Sequence, residues 1–419
     1  MMIKTCKIHV LSMLLFFSTS LLFAQKQYNS YKGLVMAGYQ GWFNSPDDGA
    51  NRGWYHYKGK YGFNPGSTNV DFWPDVTEYV ITYDSPFLTK EGKPAKLYSS
   101  YDYSSVNLHF KWMQHYGVDG VFMQRFVGEI ANPSGLNQFN TVLNSAIKSA
   151  NEFDRAICVM YDLSGIKDGD DKILMDDVAA LEKKWNLKKR EHAKTYLFHN
   201  GKPLIAVWGI GFNDGRKYNL KTAERIVNYL KQNGYSVLLG VPTYWREQRQ
   251  DTESDPLLHA LIKKSDIIMP WFVGRYNQVG FDQFKSLIQA DMKWCKQHQV
   301  DYVPLCFPGF SWTNMTGSSK AFVPRDSGNF FWTQLQYNLT SGAEMLYIAM
   351  FDEVDEGTAI FKTLHQKDVP LNGTGTFVGI EDHLPNDHYL WLTGQASKYL
   401  KNKTAIPLHQ PKRKRNDSK

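Results

Sequence analysis

The chain has few cysteines, and they follow no regular pattern. Of the four, Cys6 lies in an N-terminal segment that we expect to be removed, and Cys158, Cys295 and Cys306 remain. An odd number without a C-x-x-C spacing argues against a disulfide framework and against a structural zinc site. Cys158 and Cys306 fall in predicted strands, where buried reduced thiols are expected. A Cys295–Cys306 bridge stays open.

Beyond its N-terminus the chain also lacks a hydrophobic run long enough to cross a bilayer. The one long apolar stretch, from Val10 to Phe23, follows Lys4 and Lys7 and ends at a small-residue cleavage point after Ala24. This is the pattern of a secretory signal peptide. No cysteine stands directly after the stretch, at the cleavage point, so the pattern for lipid attachment is missing. We therefore predict a signal peptide over residues 1–24 and a mature protein that is secreted or periplasmic, without membrane insertion.

A strong net charge is missing from the body of the chain. The formal charge is +7, but two of these charges are Lys4 and Lys7, and the segment 409–419 carries five basic residues against Asp417. The remaining body has a net charge near +1, so we expect no nucleic-acid partner. We predict that 409–419 is a disordered, solvated basic tail.

Several sequence signatures of other enzyme classes are absent. No Gly-x-Gly-x-x-Gly follows an early strand, which disfavours a dinucleotide-binding sheet. No Gly-x-Ser-x-Gly elbow is present, so a Ser–His–Asp hydrolase is unsupported. Aromatic residues, in contrast, make up 15% of the chain. They are frequent platforms for sugar rings in exported proteins, although most of them are expected in the core.

Short apolar runs alternate with amphipathic stretches along the whole chain. The predicted strands are Leu34–Tyr39, Gly120–Arg125, Ala156–Tyr161, Leu204–Trp208, Ser236–Val241, Ile267–Trp271, Tyr302–Phe307 and Met345–Phe351. The predicted helices are Ser104–Tyr116, Gly135–Glu152, Asp171–Thr195, Leu220–Asn233, Pro256–Lys263, Phe281–His298, Asn329–Thr340 and His388–Leu400. Continuous apolar strands in eight βα units predict an α/β fold, a (β/α)8 TIM barrel formed by one domain over 25–408 with long βα loops. An open doubly wound sheet is the alternative.

Four carboxylates crowd into five residues immediately after the last predicted strand. They are Asp352, Glu353, Asp355 and Glu356, and they follow the apolar run Met345–Phe351. Packing gives no reason for this arrangement, because like charges in a confined space raise one another's pKa and cost stability. Acid–base chemistry does, because one carboxyl group must hold its proton while a neighbour stays ionised. Glu353 and Glu356 are therefore the candidate catalytic residues.

The other predicted strands also end in polar or aromatic residues, on the face where such barrels carry their active sites. Sugars need this mixture, because their C–H faces stack on rings while their hydroxyls bind charged side chains. A buried ion pair between Arg125 and Asp162 is the alternative for those two residues. The candidate substrate-binding residues are Tyr39, Trp42, His56 in the first long loop, Arg125, Tyr161, Asp162, Trp208, Tyr244, Trp271 and Trp312.

The segment Phe351-Asp352-Glu353-Val354-Asp355-Glu356-Gly357-Thr358 resembles the family 99 glycoside hydrolases, the endo-α-mannosidases, and their family 71/99-like relatives. That family carries Asn-Glu-Trp-His-Glu-Gly-Thr at the corresponding place on a (β/α)8 barrel. Looser likenesses are Tyr39-Gln40-Gly41-Trp42, Gln124-Arg125-Phe126 and Tyr161-Asp162-Leu163-Ser164-Gly165. Asp352, Val354 and Asp355 replace Asn, Trp and His, so the substrate need not be a mannan.

The resemblance implies a retaining glycosidase with an unusual mechanism. By position, Glu353 would act as a base on the 2-hydroxyl of the substrate itself and give a 1,2-anhydro sugar. Glu356 would act as an acid on the leaving oxygen and then as a base on water. Independently of the resemblance, cleavage by a carboxyl pair is common in glycoside hydrolases.

Three functions compete at this stage. The favoured one is a secreted glycoside hydrolase of polysaccharides or oligosaccharides that uses no metal and no organic cofactor. The second is a carbohydrate-binding barrel without catalysis, in which the acids would pair with Arg125 or Arg275. The third is a metal-dependent hydrolase, which is disfavoured because no histidine stands beside the acids.

Overall fold

The computed structural model of the chain describes residues 26–371, Gly373 and 377–413. The strands are β1 (Val35–Tyr39), β2 (Tyr83–Leu88), β3 (Pro94–Leu97), β4 (Gly120–Phe126), β5 (Ala156–Asp162), β6 (Phe198–His199), β7 (Lys202–Trp208), β8 (Ser236–Val241), β9 (Ile267–Pro270), β10 (Asp301–Tyr302), β11 (Leu305–Cys306), β12 (Phe310–Ser311), β13 (Phe322–Val323) and β14 (Leu346–Ile348). The helices are α1 (Tyr103–Tyr116), α2 (Val127–Ile130), α3 (Pro133–Phe153), α4 (Asp171–Trp185), α5 (Leu220–Gln232), α6 (Pro256–Lys264), α7 (Phe281–Gln297), α8 (Thr313–Thr316), α9 (Asn329–Thr340) and α10 (His388–Asn402).

A curled, mostly parallel sheet forms the centre of the molecule. Its strand order is β10-β9-β8-β7-β5-β4-β1-β14-β11. The short strand β6 pairs antiparallel with the first two residues of β7. β4 and β5 pair from Gly120 opposite Ala156 to Phe126 opposite Asp162. Because the main strands are parallel, their carboxyl ends meet at one edge of the sheet. The parallel α/β architecture is confirmed.

The predicted seventh strand is present as two short strands, β10 and β11. Val303 donates its N–H to Ile268 O of β9 at 2.9 Å, whereas Pro304 O accepts the N–H of Tyr347 in β14 at 3.1 Å. The proline lacks an N–H and cannot continue a ladder, so the strand breaks there and changes neighbours. The two ends of the sheet therefore lie on consecutive stretches of the chain.

The central strands are buried on both faces, as their continuous apolar sequences predict. Every residue of β8 is buried, and full burial of one such Val or Leu side chain contributes roughly 1.5–3 kcal/mol. The helices cover the outside of the sheet. In α5, Ala223, Ile226 and Leu230 recur at helical spacing on the buried face, and Asn219 caps the helix through the N–H of Lys221 at 2.9 Å.

The predicted helix Asp171–Thr195 is wrong in its second half. α4 ends at Trp185, and Asn186 adopts a left-handed conformation with φ of 46° while donating its N–H to Glu182 O. Asparagine tolerates this conformation better than most residues and is therefore a frequent helix terminator. A single 3-10 turn, Leu187–Lys189, follows.

The two long loops after β1 and β14 pack on each other above the carboxyl ends of the strands. Trp73 from the first loop contacts the rings of Phe63, Phe87 and Phe377, the last of which belongs to the second loop. Trp73 O also accepts the N–H of Leu364 at 2.9 Å. The loops thus share an aromatic core, which holds the segment after β14 in place.

Some predictions concern the chain termini and the cysteines. The predicted signal peptide lies outside the described residues, and so do residues 414–419. Residues 409–413 of the predicted tail are described, and they contact the fold: Gln410 donates to Ser327 O at 3.0 Å, and Arg413 pairs with Asp387. Cys158, Cys295 and Cys306 are free and buried. Among the described helices, none combines the length and the apolar character needed to cross a membrane.

Candidate functional site

A cavity of about 430 Å³ opens at the carboxyl ends of the strands. It contains the candidate catalytic pair together with five of the ten candidate substrate-binding residues. The predicted residues that line it are Glu353, Glu356, Trp42, Asp162, Trp208, Trp271 and Trp312.

Other residues line the cavity that were not among the predicted site residues. They include Gln40, Gln124, Phe126, Phe212, Arg216 and Phe310. Gln40 and Gln124 could have been found from strand alternation, because neighbouring residues of a strand point to opposite faces. Phe212 and Arg216 lie in the irregular loop after β7 and follow no periodic signal.

Tyr39, Arg125 and Tyr161 do not line the cavity, so their prediction as substrate-binding residues is corrected. The Tyr39 hydroxyl bonds His109 Nδ1 of α1 at 2.7 Å. Arg125 Nε donates to Asp177 Oδ2 of α4 at 2.8 Å, and the Tyr161 hydroxyl donates to the same oxygen at 2.6 Å. All three side chains point from the sheet toward the helices. The alternative Arg125–Asp162 ion pair is also wrong, because Arg125 faces away from the cavity.

His56 and Tyr244 lie next to the cavity without lining it. The His56 ring stacks on Trp42 with centroids 3.7 Å apart, and its Nδ1 is 3.1 Å from Asp355 Oδ2. Burial lowers the pKa of His56 to about 3, so the ring is neutral, and it packs behind Trp42, which lines the cavity. Tyr244 lies in an adjoining cavity, where its ring carries the guanidinium of Arg249.

Glu353 is buried at the base of the cavity, and both of its carboxyl oxygens accept hydrogen bonds. Gln40 Nε2 donates to Oε1, and the Thr358 hydroxyl donates to Oε2 at 2.5 Å. Burial raises the pKa of Glu353 well above its usual value, and the charges of Glu356 and Asp355 add to this. The two donors act in the opposite direction, because they stabilise the ionised form.

Glu356 faces the cavity from the same turn and has few donors. Burial raises its pKa to about 8, with further contributions from Asp355 and Asp162. The indole N–H of Trp312 is close enough to lower this pKa, but it makes no hydrogen bond of good geometry in the described part of the chain. Glu356 therefore keeps its proton at neutral pH.

Asp352 and Asp355 belong to the same turn as the two glutamates and are also buried. Asp352 accepts the backbone N–H groups of Gln40 at 2.8 Å and Gly41 at 2.9 Å, which ties the turn to the end of β1. Burial raises the pKa of Asp352 to about 7. Burial also raises the pKa of Asp355 to about 8, with a contribution from Asp71.

The turn that carries the two glutamates is held by close backbone contacts. Gly357 has a φ of 65°, and a Cβ there would lie 2.8 Å from the backbone N of Ser311. Ser311 donates that N–H to Glu356 O at 2.8 Å. On the other side, the buried Arg325 donates to Gly357 O at 2.9 Å and to Ala359 O at 2.7 Å. These contacts fix the position of Glu356 and require glycine at 357.

The opposite wall of the cavity combines an acid, a paired cation and aromatic rings. Asp162 accepts the N–H of Ser164 at 2.6 Å, and burial raises its pKa. The Arg216 guanidinium binds Asp214 through two bonds of 2.9 Å and lies 4.9 Å from the Trp208 ring centroid. A sugar ring in this cavity would meet ring faces on one side and carboxyl groups on the other.

The side chains of the site do not form a set of metal ligands in the described part of the chain. Over residues 26–371, 373 and 377–413, no group of three or more His, Cys, Asp or Glu side chains is placed to hold a metal ion. Of the four acids of the turn, Asp352, Glu353 and Asp355 contact different groups, and Glu356 faces the cavity.

Comparisons with known proteins identify the fold but not a family by sequence. No protein-family model matches the sequence, and no curated protein matches it significantly. Solved structures do match. The GH99 endo-α-mannosidase from Bacteroides thetaiotaomicron is 14% identical, with a TM-score of 0.63 over 88% of this chain and 98% of that chain.

Two further structures agree with this likeness. The same mannosidase in complex with bis-tris-propane gives a TM-score of 0.64 at 14% identity, over 88% of this chain and 98% of that chain. A glycoside hydrolase-like protein gives a TM-score of 0.50 at 12% identity, over 78% of this chain and 94% of that chain. The resemblance to the family 99 glycoside hydrolases is therefore confirmed at the level of the fold.

Proposed function

We propose that the protein is a glycoside hydrolase that cleaves a polysaccharide or oligosaccharide with Glu353 and Glu356. The observation that carries the proposal is the placement of both carboxyl groups in one aromatic-lined cavity, where burial and the charges of neighbouring carboxylates raise their pKa values. The shared fold with a GH99 endo-α-mannosidase supports the same function. Neither argument depends on the other.

The two glutamates have different surroundings, and these suit different roles. Glu356, with a pKa of about 8 and few donors, suits the general acid that protonates the leaving oxygen. Glu353 accepts hydrogen bonds on both oxygens. These donors favour the ionised form of Glu353 and oppose the rise in its pKa, so it is the member of the pair that suits the base. This division agrees with the roles that the sequence resemblance implies.

We further propose a retaining mechanism on an α-linked glycan. Glu353 takes the proton of the substrate's 2-hydroxyl, and that oxygen displaces the leaving group from the anomeric carbon. Glu356 gives its proton to the leaving oxygen in the same step. In the second step Glu356 takes a proton from water, and the water oxygen attacks the anomeric carbon and opens the 1,2-anhydro ring. Glu353 then gives its proton back to the 2-oxygen of the sugar. No electrons are exchanged, and the sum is hydrolysis.

We infer that the sheet closes as a (β/α)8 barrel. Its two ends are β10 and β11, which are separated only by Val303 and Pro304 and pair with β9 and β14 respectively. Closure through this broken strand would place β7 opposite β14 around one barrel mouth, with β5 beside β7. Glu353 and Asp162 would then both point into the mouth, at the cavity that both line.

We also expect the protein to act outside the cytoplasm. The expectation rests on the N-terminal segment 1–24, with its two lysines, apolar stretch and small-residue cleavage point. The near-neutral body fits a glycan partner rather than a nucleic acid.

The competing function, a glycan-binding barrel without catalysis, predicts that the acids are neutralised by Arg125 or Arg275. In the described residues Arg125 pairs with Asp177, and Arg275 pairs with Asp251 at 3.2 Å. Glu353 and Glu356 are therefore not held by either arginine. This observation favours the hydrolase.

The deciding experiment incubates the mature protein with a panel of α-linked glycans, with and without EDTA. The matched variants are Glu353→Gln and Glu356→Gln, which keep size and hydrogen bonding while removing the acid. The proposal predicts product release that is insensitive to EDTA and is lost in both variants, while glycan binding survives. Binding without turnover by the parent protein would favour the glycan-binding function, and inhibition by EDTA would favour a metal-dependent hydrolase.

A further inference from the structure

A second cavity of about 590 Å³ adjoins the candidate catalytic cavity beyond the ends of β8 and β9. Arg275 lines both cavities. The second one is also lined by Tyr244, Arg246, Glu247 and Arg249, and we call it the arginine cavity. Arg275 therefore stands at the border between the two cavities.

Two of the three arginines of this cavity, Arg246 and Arg249, share one carboxylate of its lining, and Arg246 Nε also donates to Asp291 Oδ1 at 2.8 Å. Arg246 Nη2 donates to Glu247 Oε1 at 2.9 Å, and Arg249 Nε donates to Glu247 Oε2 at 2.8 Å. A guanidinium has five N–H donors, and the described contacts of Arg249 use one of them. Its side chain is 49% exposed. Arg249 therefore presents several N–H groups to the cavity.

Arg275 is in a similar position at the border between the cavities. It contacts Asp251 Oδ2 at 3.2 Å, and its side chain is 41% exposed. The Asp251 carboxylate also accepts the backbone N–H groups of Thr243 at 3.1 Å and Tyr244 at 3.2 Å. Because Asp251 divides its oxygens among these donors, it leaves most of the Arg275 guanidinium free for a further anion.

The position of Arg249 is fixed by an aromatic ring. Its guanidinium carbon lies 4.1 Å from the ring centroid of Tyr244. A guanidinium that stacks on a ring keeps its planar edge available, and this edge matches the two oxygens of a carboxylate or sulfate. Tyr244, which we expected to bind sugar directly, thus orients the arginine that would do so.

The two cavities differ in the charged side chains that line them. The catalytic cavity is lined by four carboxyl groups and two arginines, and each carboxyl group that is ionised repels an anion placed beside it. The arginine cavity is lined by three arginines and one glutamate, and two of these arginines also contact carboxylates outside the lining, Arg246 at Asp291 and Arg275 at Asp251. The charged residues of the catalytic cavity are Asp162, Asp214, Glu353, Glu356, Arg216 and the shared Arg275.

We propose that the arginine cavity binds an anionic sugar residue, a uronate or a sulfate ester, of the same glycan whose uncharged residue occupies the catalytic cavity. The inference rests on the proposed function for the choice of a glycan, but anion binding itself requires no turnover. It assigns the substrate to the acidic polysaccharides and places the acidic residue beside the site of cleavage, not within it.

The test measures binding to oligosaccharides in matched pairs by the Glu356→Gln variant, in which turnover is blocked. One arm compares oligogalacturonides with their carboxyl-reduced forms, and the other compares sulfated galactan oligosaccharides with their desulfated forms. Arg249→Gln and Arg275→Gln are added separately to this background. The matched control is Arg225→Gln, which removes an arginine that is 45% exposed and lines neither cavity.

We expect the acidic member of at least one pair to bind about tenfold or more tightly, which corresponds to about 1.4 kcal/mol, because hydrogen bonds between charged groups are stronger than those between neutral ones. Arg249→Gln and Arg275→Gln should each reduce this preference several-fold, and so should added salt. Arg225→Gln should leave it unchanged. The arm that responds identifies the anion as carboxylate or sulfate.

Equal binding of acidic and neutral partners overturns the proposal, as does a preference that both arginine variants leave intact or a failure to bind any acidic oligosaccharide. These results are distinguishable from failure of the proposed function. Hydrolysis of neutral glycans by the parent protein without an acidic preference would retain the hydrolase and remove the anion site. Selective binding of the acidic oligosaccharides without their hydrolysis by the parent protein would retain the anion site and remove the hydrolase.

Discussion

Replacing Glu356 by Gln should stabilise the folded protein at neutral pH even though it removes the proposed acid. In the folded state burial raises the pKa of this carboxyl to about 8, from an ordinary value of 4.5. Between these two values the unfolded chain ionises while the folded protein stays protonated, so folding becomes less favourable as the pH rises. Below pH 4 both states are protonated, and the penalty disappears.

The size of the effect follows from the same shift. At pH 7 a full shift from 4.5 corresponds to about 3 kcal/mol, since one pKa unit is about 1.4 kcal/mol. Glu356 faces the cavity and is only partly buried, so solvent screening reduces this figure. We expect the variant to gain about 1–3 kcal/mol in unfolding free energy at pH 7. Below pH 4 the gain should be close to zero.

The assay is urea unfolding of the parent and of Glu356→Gln at pH 7 and at a pH below 4. Glu344→Gln is the control, because Glu344 is 64% exposed and contacts Lys32 at the surface. The control should show no comparable gain at pH 7. A loss of stability for Glu356→Gln at pH 7, or an equal gain at both pH values, would refute the claim that burial holds this carboxyl protonated.

Three other changes have defined outcomes. Asp355→Asn removes a group that raises the pKa of Glu356, so the alkaline limb of the pH–activity profile should move to lower pH; an unmoved limb would contradict the coupling. Gly357→Ala introduces a Cβ at a φ of 65° beside a backbone N at 2.8 Å and should cost about 1–3 kcal/mol and lower kcat; unfolding and kinetics comparable to the parent would show that the turn is not constrained. Arg125→Lys loses the two-bond contact with Asp177 and should lower stability by about 1–3 kcal/mol with KM unchanged; a raised KM would place Arg125 in the binding site.

Much of the fold could be predicted from the sequence, because parallel strands buried on both faces are continuous apolar runs. Ser236–Val241 matches the observed β8 at both ends. The end of α4 could not be predicted in the same way. A left-handed Asn186 leaves no periodic signal when charged and apolar residues continue on both sides. The docking of Arg413 on Asp387 depends on a contact distant in sequence.

The candidate site was predictable in its location but less so in its members. Tryptophans after strands, such as Trp208 and Trp271, do line the cavity, because a bulky ring at a strand end lies at the open edge of the sheet. Arg125 and Tyr161 were placed on the wrong face, since a shift of one residue along a strand reverses the direction of the side chain. Arg216 was missed because its position depends on an irregular loop and on its bonds to Asp214.

The central claim is that Glu356 donates a proton to the leaving group and Glu353 accepts one. The most direct test compares single-turnover release from the natural glycan with fluoride release from the corresponding glycosyl fluoride, whose leaving group needs no proton. Glu356→Gln should lose about 10²–10⁴-fold on the glycan while releasing fluoride at nearly the parent rate, and Glu353→Gln should lose both activities. Equal losses on the two substrates for Glu356→Gln, or full fluoride release by Glu353→Gln, would contradict the assignment.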